Sequence, residues 1–266
     1  MPARAVRPFV AGNKNDLRDA QAIWTAAQQP GVKTVAVKSE EQQAVLALHR
    51  MRQQLVKFRT AQINALRGLL AEYGEVMAKG RAGIGRGIAP ALDRLAARLP
   101  APIVETLREQ WKRVGALDRE IAVIERRIAL WHRSSPSSQR VAEVPGVGIL
   151  TATAVVATMG DPAAFSSGRE FAAWLGLAPR HTGTGGRVRM LGISKRGDKY
   201  LRTLLIHGAR TVLTRSKTPP EWALRLAERR PPNVVTVALA NKTARTIWAL
   251  LAHDRAYRAN FVSLPT

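Results

Sequence analysis

The 266-residue sequence contains no cysteine, few aromatic residues and few acidic residues. Without cysteine there is neither a disulfide framework nor a thiolate-ligated zinc site. No apolar run reaches the roughly 18 residues of a membrane span, and the first ten residues lack the apolar core of a signal peptide. We therefore expect a cytoplasmic protein with no membrane partner.

The charge is strongly one-sided. The chain has 42 Lys and Arg against 19 Asp and Glu, which gives a formal net charge of +23 and a pI of about 11.6. Such an excess indicates a polyanionic partner or an acidic membrane. No polybasic run lies beside an apolar span, as lipid anchoring would require. Nucleic acid is therefore the expected partner.

Helical spacing dominates the N-terminal half. A helix starts near Asn15, and Ser39 with Gln42 has the form of a capping box that opens a long helix. Apolar residues over 104–131 recur at steps of three and four, which predicts a second long helix with a coiled-coil-like seam. That seam either packs against the first long helix as a hairpin or joins two subunits, and both alternatives stay open.

Four segments interrupt the helical pattern. Residues 6–10 predict a short extended piece, and residues 34–37 predict a strand or an extended connector. The Gly-rich stretch 80–87 predicts a break in the helix, and the Ser-rich stretch 134–138 predicts a linker. Several shorter helices follow with little strand pattern, so the chain is expected to be mainly α-helical.

The segment 144–209 contains the strongest candidate nucleic-acid site. Its Val-Pro-Gly-Val-Gly turn resembles the hairpin of a helix-hairpin-helix, in which glycines let a phosphate approach the backbone. A Gly/Thr-rich basic loop follows, and Ser194 is the expected N-cap of a helix over 195–213. A solvated charge face is the simpler alternative, but the density of glycines and cations favours phosphate binding. The candidates are Gly146, Gly148, Gly185, Gly186, Arg187, Arg189, Ser194, Lys195, Arg196, Lys199 and Arg202.

Two further groups are candidates for chemistry. Thr182, Thr184 and Ser194 place hydroxyls in the basic segment, where a hydroxyl can attack a phosphodiester; on the residues alone they are turn formers and a cap. Asp16 and Asp19 share one helix face and can hold Mg²⁺ together. The simpler interpretation is that they are solvated acids at a helix N-terminus.

Taken together, the motifs of this chain resemble the insertion sequence one-ten family of transposases. The resemblance is strongest to its eleven-eleven subgroup, which is related to the Piv-type DNA invertases. The matching motifs cover nearly the whole chain. Together they are highly specific for the family, although no single motif is specific by itself. The motifs are Asn13–Ala20, Val37–Ala44, Gln62–Gly68, Val144–Gly148, Phe171–Arg180, Gly192–Asp198, Leu201–Arg210 and Val237–Lys242.

The resemblance implies a three-part chain. Residues 1–38 would be a remnant of a RuvC-like α/β nuclease domain, residues 39–134 a long-helix or coiled-coil region, and residues 139–266 a helical transposase domain. The family also has four acids, Asp-Glu-Asp-Asp, that bind Mg²⁺, and a serine that becomes joined to DNA. Its members act as oligomers, and some are directed by a structured RNA from the element.

The sequence departs from the family pattern in two places. Asp16 and Asp19 match the third and fourth acids, whereas the first Asp and the Glu would lie on strands before Met1. We therefore expect most of the RuvC-like domain to be missing. The loop that carries the family's serine has the sequence His-Thr-Gly-Thr-Gly-Gly over 181–186 of this chain and contains no serine. Thr184 lies nearest the position of the family's serine. Ser194 matches a Gly-x-Ser-Lys segment of the family and is interpreted as a phosphate-binding cap.

These features predict a transposase that binds DNA, with an element-encoded guide RNA and further copies of itself as partners. We expect DNA strand cleavage and rejoining to be impaired, because two of the four acids have no counterpart. The alternative is a non-catalytic DNA- or RNA-binding remnant, or an oligomerising inhibitor of the intact transposase.

Overall fold

The computed structural model describes residues 1, 3–13, 15–32, 37–183, 187 and 189–259. Regular structure in this part is almost entirely helical, which confirms the expectation of a mainly α protein. None of its helices is both long and apolar enough to cross a membrane. The helices are α1 (Ala3–Val6), α2 (Asp16–Ala27), α3 (Glu40–Glu72), α4 (Gly80–Ala96), α5 (Ala101–Ser134), α6 (Pro136–Ala142), α7 (Ile149–Met159), α8 (Gly168–Trp174), α9 (Lys199–Arg215), α10 (Glu221–Ala227) and α11 (Pro232–Ala252), and the strands are β1 (Pro179–Thr182) and β2 (Arg189–Ile193).

The N-terminal segment is helical where an extended piece was expected. Residues 3–6 form α1 and Arg7–Phe9 form a 3₁₀ turn, so the extended prediction for 6–10 is wrong. Pro8 favours the turn, because its ring fixes φ near a helical value. The Asn15 side chain accepts a hydrogen bond from the Leu17 backbone N–H (2.9 Å), which confirms the predicted start of α2. Residues 34–36 lie outside the described residues.

The two long helices, α3 and α5, form an antiparallel hairpin. Ser39 and Gln42 make the predicted capping box of α3. Arg59 on α3 forms an ion pair with Asp118 on α5 (2.8 Å). Buried apolar side chains of α3, α4 and α5 share one core: Ile63, Leu66, Leu70, Ile84, Ile88, Leu92, Leu95, Val104, Leu107 and Val114. The hairpin alternative is confirmed, because Val104, Leu107 and Val114 of the predicted seam are covered by α3 and α4 within the chain.

The Gly-rich stretch 80–87 begins α4 instead of breaking the helical region. Each helical glycine costs roughly 1 kcal/mol relative to alanine. Burial of a large aliphatic side chain contributes about 1.5–3 kcal/mol, and Ile84 and Ile88 are both fully buried. Arg81 adds a cation–π contact, with its guanidinium 4.7 Å from the ring centroid of Trp111. Tertiary burial therefore overrides the local propensity.

The C-terminal half has its own core. The predicted linker 134–138 is ordered, since Ser135 caps α6 and the buried Ser138 hydroxyl lies 2.7 Å from Nδ1 of His132. Helices α7, α8, α9 and α11 surround a core whose largest buried side chains are Phe171, Leu175, Leu177, Leu201 and Leu205. The domain boundaries near 38 and 134–139 stay predictions.

A backbone contact joins the turn before α7 to the middle of α9. Gly146 has φ of +83°, and a Cβ built on it would lie 2.7 Å from the carbonyl oxygen of Gly208. A Cβ on Gly208 would overlap the carbonyl of Gly146. The two segments can approach this closely only because both positions are glycine.

We expect Gly208→Ala to lower the free energy of unfolding by about 1–3 kcal/mol, the usual cost of overpacking. The overlap with Gly146 should outweigh the gain of about 1 kcal/mol that alanine brings to a helix. Urea denaturation followed by circular dichroism measures the change. Gly148→Ala is the matched control, because nothing lies within 4 Å of an added Cβ there. A Gly208→Ala protein as stable as the control would contradict the close contact.

Candidate nucleic-acid interface

The two strands are the arms of the Gly/Thr-rich basic loop, and sequence reasoning missed them. They pair antiparallel, with His181 opposite Met190 and Thr182 opposite Arg189, and with an irregularity between 179 and 181. Every strand residue from 179 to 182 and from 189 to 192 is exposed. We call these two paired strands the ribbon. The local signal that marks a strand in a sequence is the alternation of apolar and polar residues, and a ribbon without a buried face does not show it.

The base of the ribbon is fixed by backbone contacts with the end of α8. The backbone N–H of Ser194 donates to the Ala178 carbonyl (2.9 Å), and that of Lys195 donates to the Gly176 carbonyl (3.1 Å). Gly176 and Gly197 have φ of +76° and +108°, and a Cβ on either would overlap backbone of the other segment. The loop 194–197 is therefore held against α8 by contacts that leave no room for a side chain.

Ser194 is not the N-cap of a helix, so that prediction is wrong. Helix α9 begins at Lys199, and its cap is Asp198, whose carboxylate accepts from the Leu201 N–H (2.9 Å). The Ser194 hydroxyl accepts a hydrogen bond from the Arg196 N–H (3.4 Å). The close approach to α8 gives Lys195 and Gly197 positive φ values, which a helix does not allow.

Five predicted cations lie exposed on the ribbon and at its base. Among the described residues, no acidic group forms an ion pair with any of them. We call them the cationic surface: Arg187, Arg189, Lys195, Arg196 and Lys199.

Arg202 does not belong to this surface, which corrects the prediction of a phosphate contact there. It is only 9% exposed. Its guanidinium donates to the carbonyl of Leu175 (2.9 Å), the residue that caps the C-terminus of α8. A cation at a helix C-terminus satisfies a free carbonyl and interacts favourably with the helix dipole. Arg202 is therefore part of the support beneath the ribbon.

The glycines of the 144–148 turn have different surroundings. Gly146 is half-buried and packs against the backbone of Gly208. Gly148 is exposed and is the N-cap residue of α7, where no side chain makes a capping hydrogen bond. The likeness to a helix-hairpin-helix stays a prediction. Gly185, Gly186 and Thr184 lie outside the described residues.

The predicted metal ligands do not form a complete site in the described part of the chain. Asp16 is exposed and Asp19 half-buried in the first turn of α2. No group of three or more His, Cys, Asp or Glu side chains that could hold a metal ion occurs among the described residues. Two carboxylates supply only part of the octahedral oxygen shell of Mg²⁺, and waters, DNA phosphates or further acids would supply the rest.

A buried polar network beneath the ribbon was not predicted. His49 on α3 is 1% exposed; its Nδ1 lies 3.0 Å from the Tyr200 hydroxyl on α9, and its Nε2 lies 3.0 Å from the Thr153 hydroxyl on α7. The Thr153 hydroxyl donates its proton to the Ile149 carbonyl (2.7 Å). It must therefore accept from Nε2–H of His49, and Nδ1 must accept from the tyrosine. A lone histidine in a long helix gives no sequence signal for this role.

The electrostatics keep this network neutral at His49. Burial, and then the charge of the neighbouring Arg52, lower the pKa of His49 to about 4. Burial also raises the pKa of Tyr200, while Arg52 opposes that shift. Arg52 is held in turn by Glu125 on α5 (2.7 Å). The network thus connects α3, α5, α7 and α9.

Comparison with known proteins gives a consistent result. Residues 138–225 match the family described as Transposase IS116/IS110/IS902, and residues 1–75 match a DEDD-type domain of the IS110 group described as a transposase. The DEDD domain implies a divalent metal ion in that family.

Several curated proteins are similar to almost the whole chain. A probable family 20 transposase of Pseudomonas aeruginosa is 48% identical over 95% of this chain and 76% of its own length. The transposase for insertion sequence element IS1111A of Coxiella burnetii is 42% identical over 95% of this chain and 71% of its own length. The transposase for IS1328 of Yersinia enterocolitica is 39% identical, with 92% and 74% covered.

We expect the stability of the protein to fall as the pH falls from about 6.5 towards 4. The folded state keeps His49 neutral in this range while the unfolded state binds a proton, so protonation favours unfolding. The depressed pKa of about 4 corresponds to at most about 3 kcal/mol. Urea denaturation at a series of pH values measures the slope, which should be smaller in His49→Gln. Titration of the His49 ring by NMR near its usual pKa of 6.5 would contradict the assignment.

Proposed function

Because this chain belongs to the IS116/IS110/IS902 family of insertion-sequence transposases, we propose that it binds DNA phosphates through the cationic surface during transposition. The observation that carries this proposal is a set of five exposed cations around a fixed ribbon base, none of which forms an ion pair with an acid in the described part of the chain. The net charge of +23 supports the same partner. The only acid between Pro179 and Leu201, Asp198, already caps α9.

The arrangement suits a phosphate backbone for a physical reason. Lysine and arginine that neutralise phosphates release the counterions condensed on DNA, and this release supplies much of the affinity. Phosphate contacts also set the position of a protein on the duplex. The rigid loop 194–197 supplies two adjacent cations, Lys195 and Arg196, at a fixed place on the surface.

DNA strand cleavage and rejoining is the second part of the proposal. A hydroxyl of the basic loop, with Thr184 as the first candidate and Thr182 as the second, would attack the phosphorus and displace a deoxyribose oxygen. The extra methyl group of threonine restricts its side-chain rotamer relative to serine. We propose that Mg²⁺ chemistry requires acids beyond Asp16 and Asp19, since these two match only half of the four acids of the DEDD-type domain.

Two further partners fit the same proposal. A guide RNA encoded by the element presents the same phosphate chemistry to the cationic surface as DNA does. Further copies of the chain would have to use surfaces other than the buried seam of the hairpin. Exposed apolar side chains on the outer side of α3, Met51 and Phe58, support a protein contact there.

Replacing Lys195 and Arg196 together by Gln should weaken duplex DNA binding by about tenfold or more near 100 mM salt. The slope of log affinity against log salt should become shallower by about 2, since each lost phosphate contact removes roughly 0.9. Fluorescence anisotropy with a labelled duplex across a salt series measures both quantities.

The matched control is Lys112→Gln/Arg113→Gln, which removes an adjacent exposed Lys-Arg pair from α5. It changes the net charge equally, so any general charge effect appears in both proteins. Equal slopes for the two double variants would contradict a specific phosphate contact at the ribbon base.

The chain on its own, incubated with Mg²⁺ and DNA that carries the element's ends, should bind without producing rejoined strands. Gel analysis of labelled strands detects the products. Rejoining that is abolished by Asp16→Asn/Asp19→Asn would contradict this expectation and would show that other ligands complete the pair. The alternative role, an oligomerising inhibitor, predicts that adding the chain reduces rejoining by an intact relative.

A further inference from the structure

The ribbon exposes both of its faces. Successive residues of a strand point to opposite faces, and the pairing of Thr182 with Arg189 and of His181 with Met190 puts each pair on one face. Arg189 and Leu191 therefore share one face, and His181 and Met190 share the other. Met190 is 62% exposed and Leu191 is 37% exposed. Each face thus combines an apolar side chain with a hydrogen-bonding one.

The ribbon contacts the rest of the protein mainly at its base. A two-stranded sheet is only marginally stable in water unless one face packs on a core. Here only the last strand residue, Ile193, packs against the core, and the backbone bonds at 176–178 hold the base. The rest of the ribbon is exposed.

Charge identifies the kind of partner. The segment from Pro179 to Gly197 contains five Arg and Lys residues and no acidic residue. Arg180, Arg187 and Arg189 lie exposed along the ribbon, and Lys195 and Arg196 lie at its base. These cations favour an acidic partner. Because apolar side chains lie between them on the ribbon, the partner is expected to offer apolar groups within a groove as well.

We propose that the ribbon enters the major groove of duplex DNA with the face of Arg189 and Leu191 towards the bases, where Arg189 reads guanine and Leu191 contacts thymine methyl groups. This inference rests on the proposed DNA binding and adds base recognition to it. The major groove of B-form DNA is roughly 12 Å wide and admits a two-stranded ribbon, whereas the minor groove is about 6 Å wide. The cations at the base then reach the phosphates that border the groove.

Duplex RNA provides a discriminating comparison. The major groove of A-form RNA is deep and narrow, so side chains cannot read it. The ribbon should therefore prefer DNA to an RNA duplex of the same sequence. A contact limited to phosphates would distinguish the two duplexes far less.

The test begins with selection of bound sequences from a pool of random DNA duplexes. The wild-type protein should enrich a guanine-containing site over scrambled DNA. Arg189→Lys keeps the charge but loses the fork that bonds guanine O6 and N7. It should reduce the preference for the selected site by about tenfold or more. Any loss of affinity for scrambled DNA should be much smaller, because lysine keeps the positive charge that neutralises phosphate. Replacing the guanine by 7-deazaguanine should give the same loss in the wild type and none in the variant.

Arg113→Lys is the matched control, because it makes the same change at an exposed position of α5 outside the cationic surface and should keep the preference. The inference is overturned if no sequence is enriched, if Arg189→Lys keeps the preference, or if duplex RNA binds as tightly as DNA. In those cases salt-dependent binding to scrambled DNA can persist, which leaves the proposed function intact. Loss of that binding as well would overturn both.

Discussion

Backbone contacts that only glycine permits hold the proposed DNA-binding segment in place. Gly176 and Gly197 bring the end of α8 against the loop that precedes α9, and Gly146 with Gly208 brings the turn before α7 against α9 itself. Overlap of hard atoms, which admits little adjustment, sets these distances. The cations on the loop are exposed, and the backbone that carries them has a fixed position.

The buried network at His49 extends this constraint to the long hairpin. His49 and Tyr200 are 151 residues apart, and their hydrogen bond joins α3 to the first turn of α9, next to the ribbon. A buried polar group left unpaired costs about 1–3 kcal/mol, and among the described residues no buried side-chain nitrogen or oxygen lacks a partner. The position of α9 thus depends on the long helices as well as on its immediate neighbours.

Local signals in the sequence predicted what local forces determine. The start of α2 at Asn15 and the capping box at Ser39 were readable because a cap requires only a side chain and an N–H two or three residues away. Long-range contacts decided the rest: burial made 80–87 helical, and the approach of Gly197 to Trp174 moved the start of α9 from Lys195 to Lys199. The sequence predicted which cations belong to the basic segment, but it could not predict that Arg202 is buried.

The contrast between a fixed base and an exposed ribbon fits a role in binding better than one in the stability of the free protein. A ribbon with one face on the core would be more stable, yet it would offer a partner only its other face. The base of the ribbon compensates for this lower stability. The buried guanidinium of Arg202, for example, donates a hydrogen bond to the Leu175 carbonyl at the C-terminus of α8. The stability of the site thus comes from residues beneath the ribbon, which leaves those on the ribbon free for recognition.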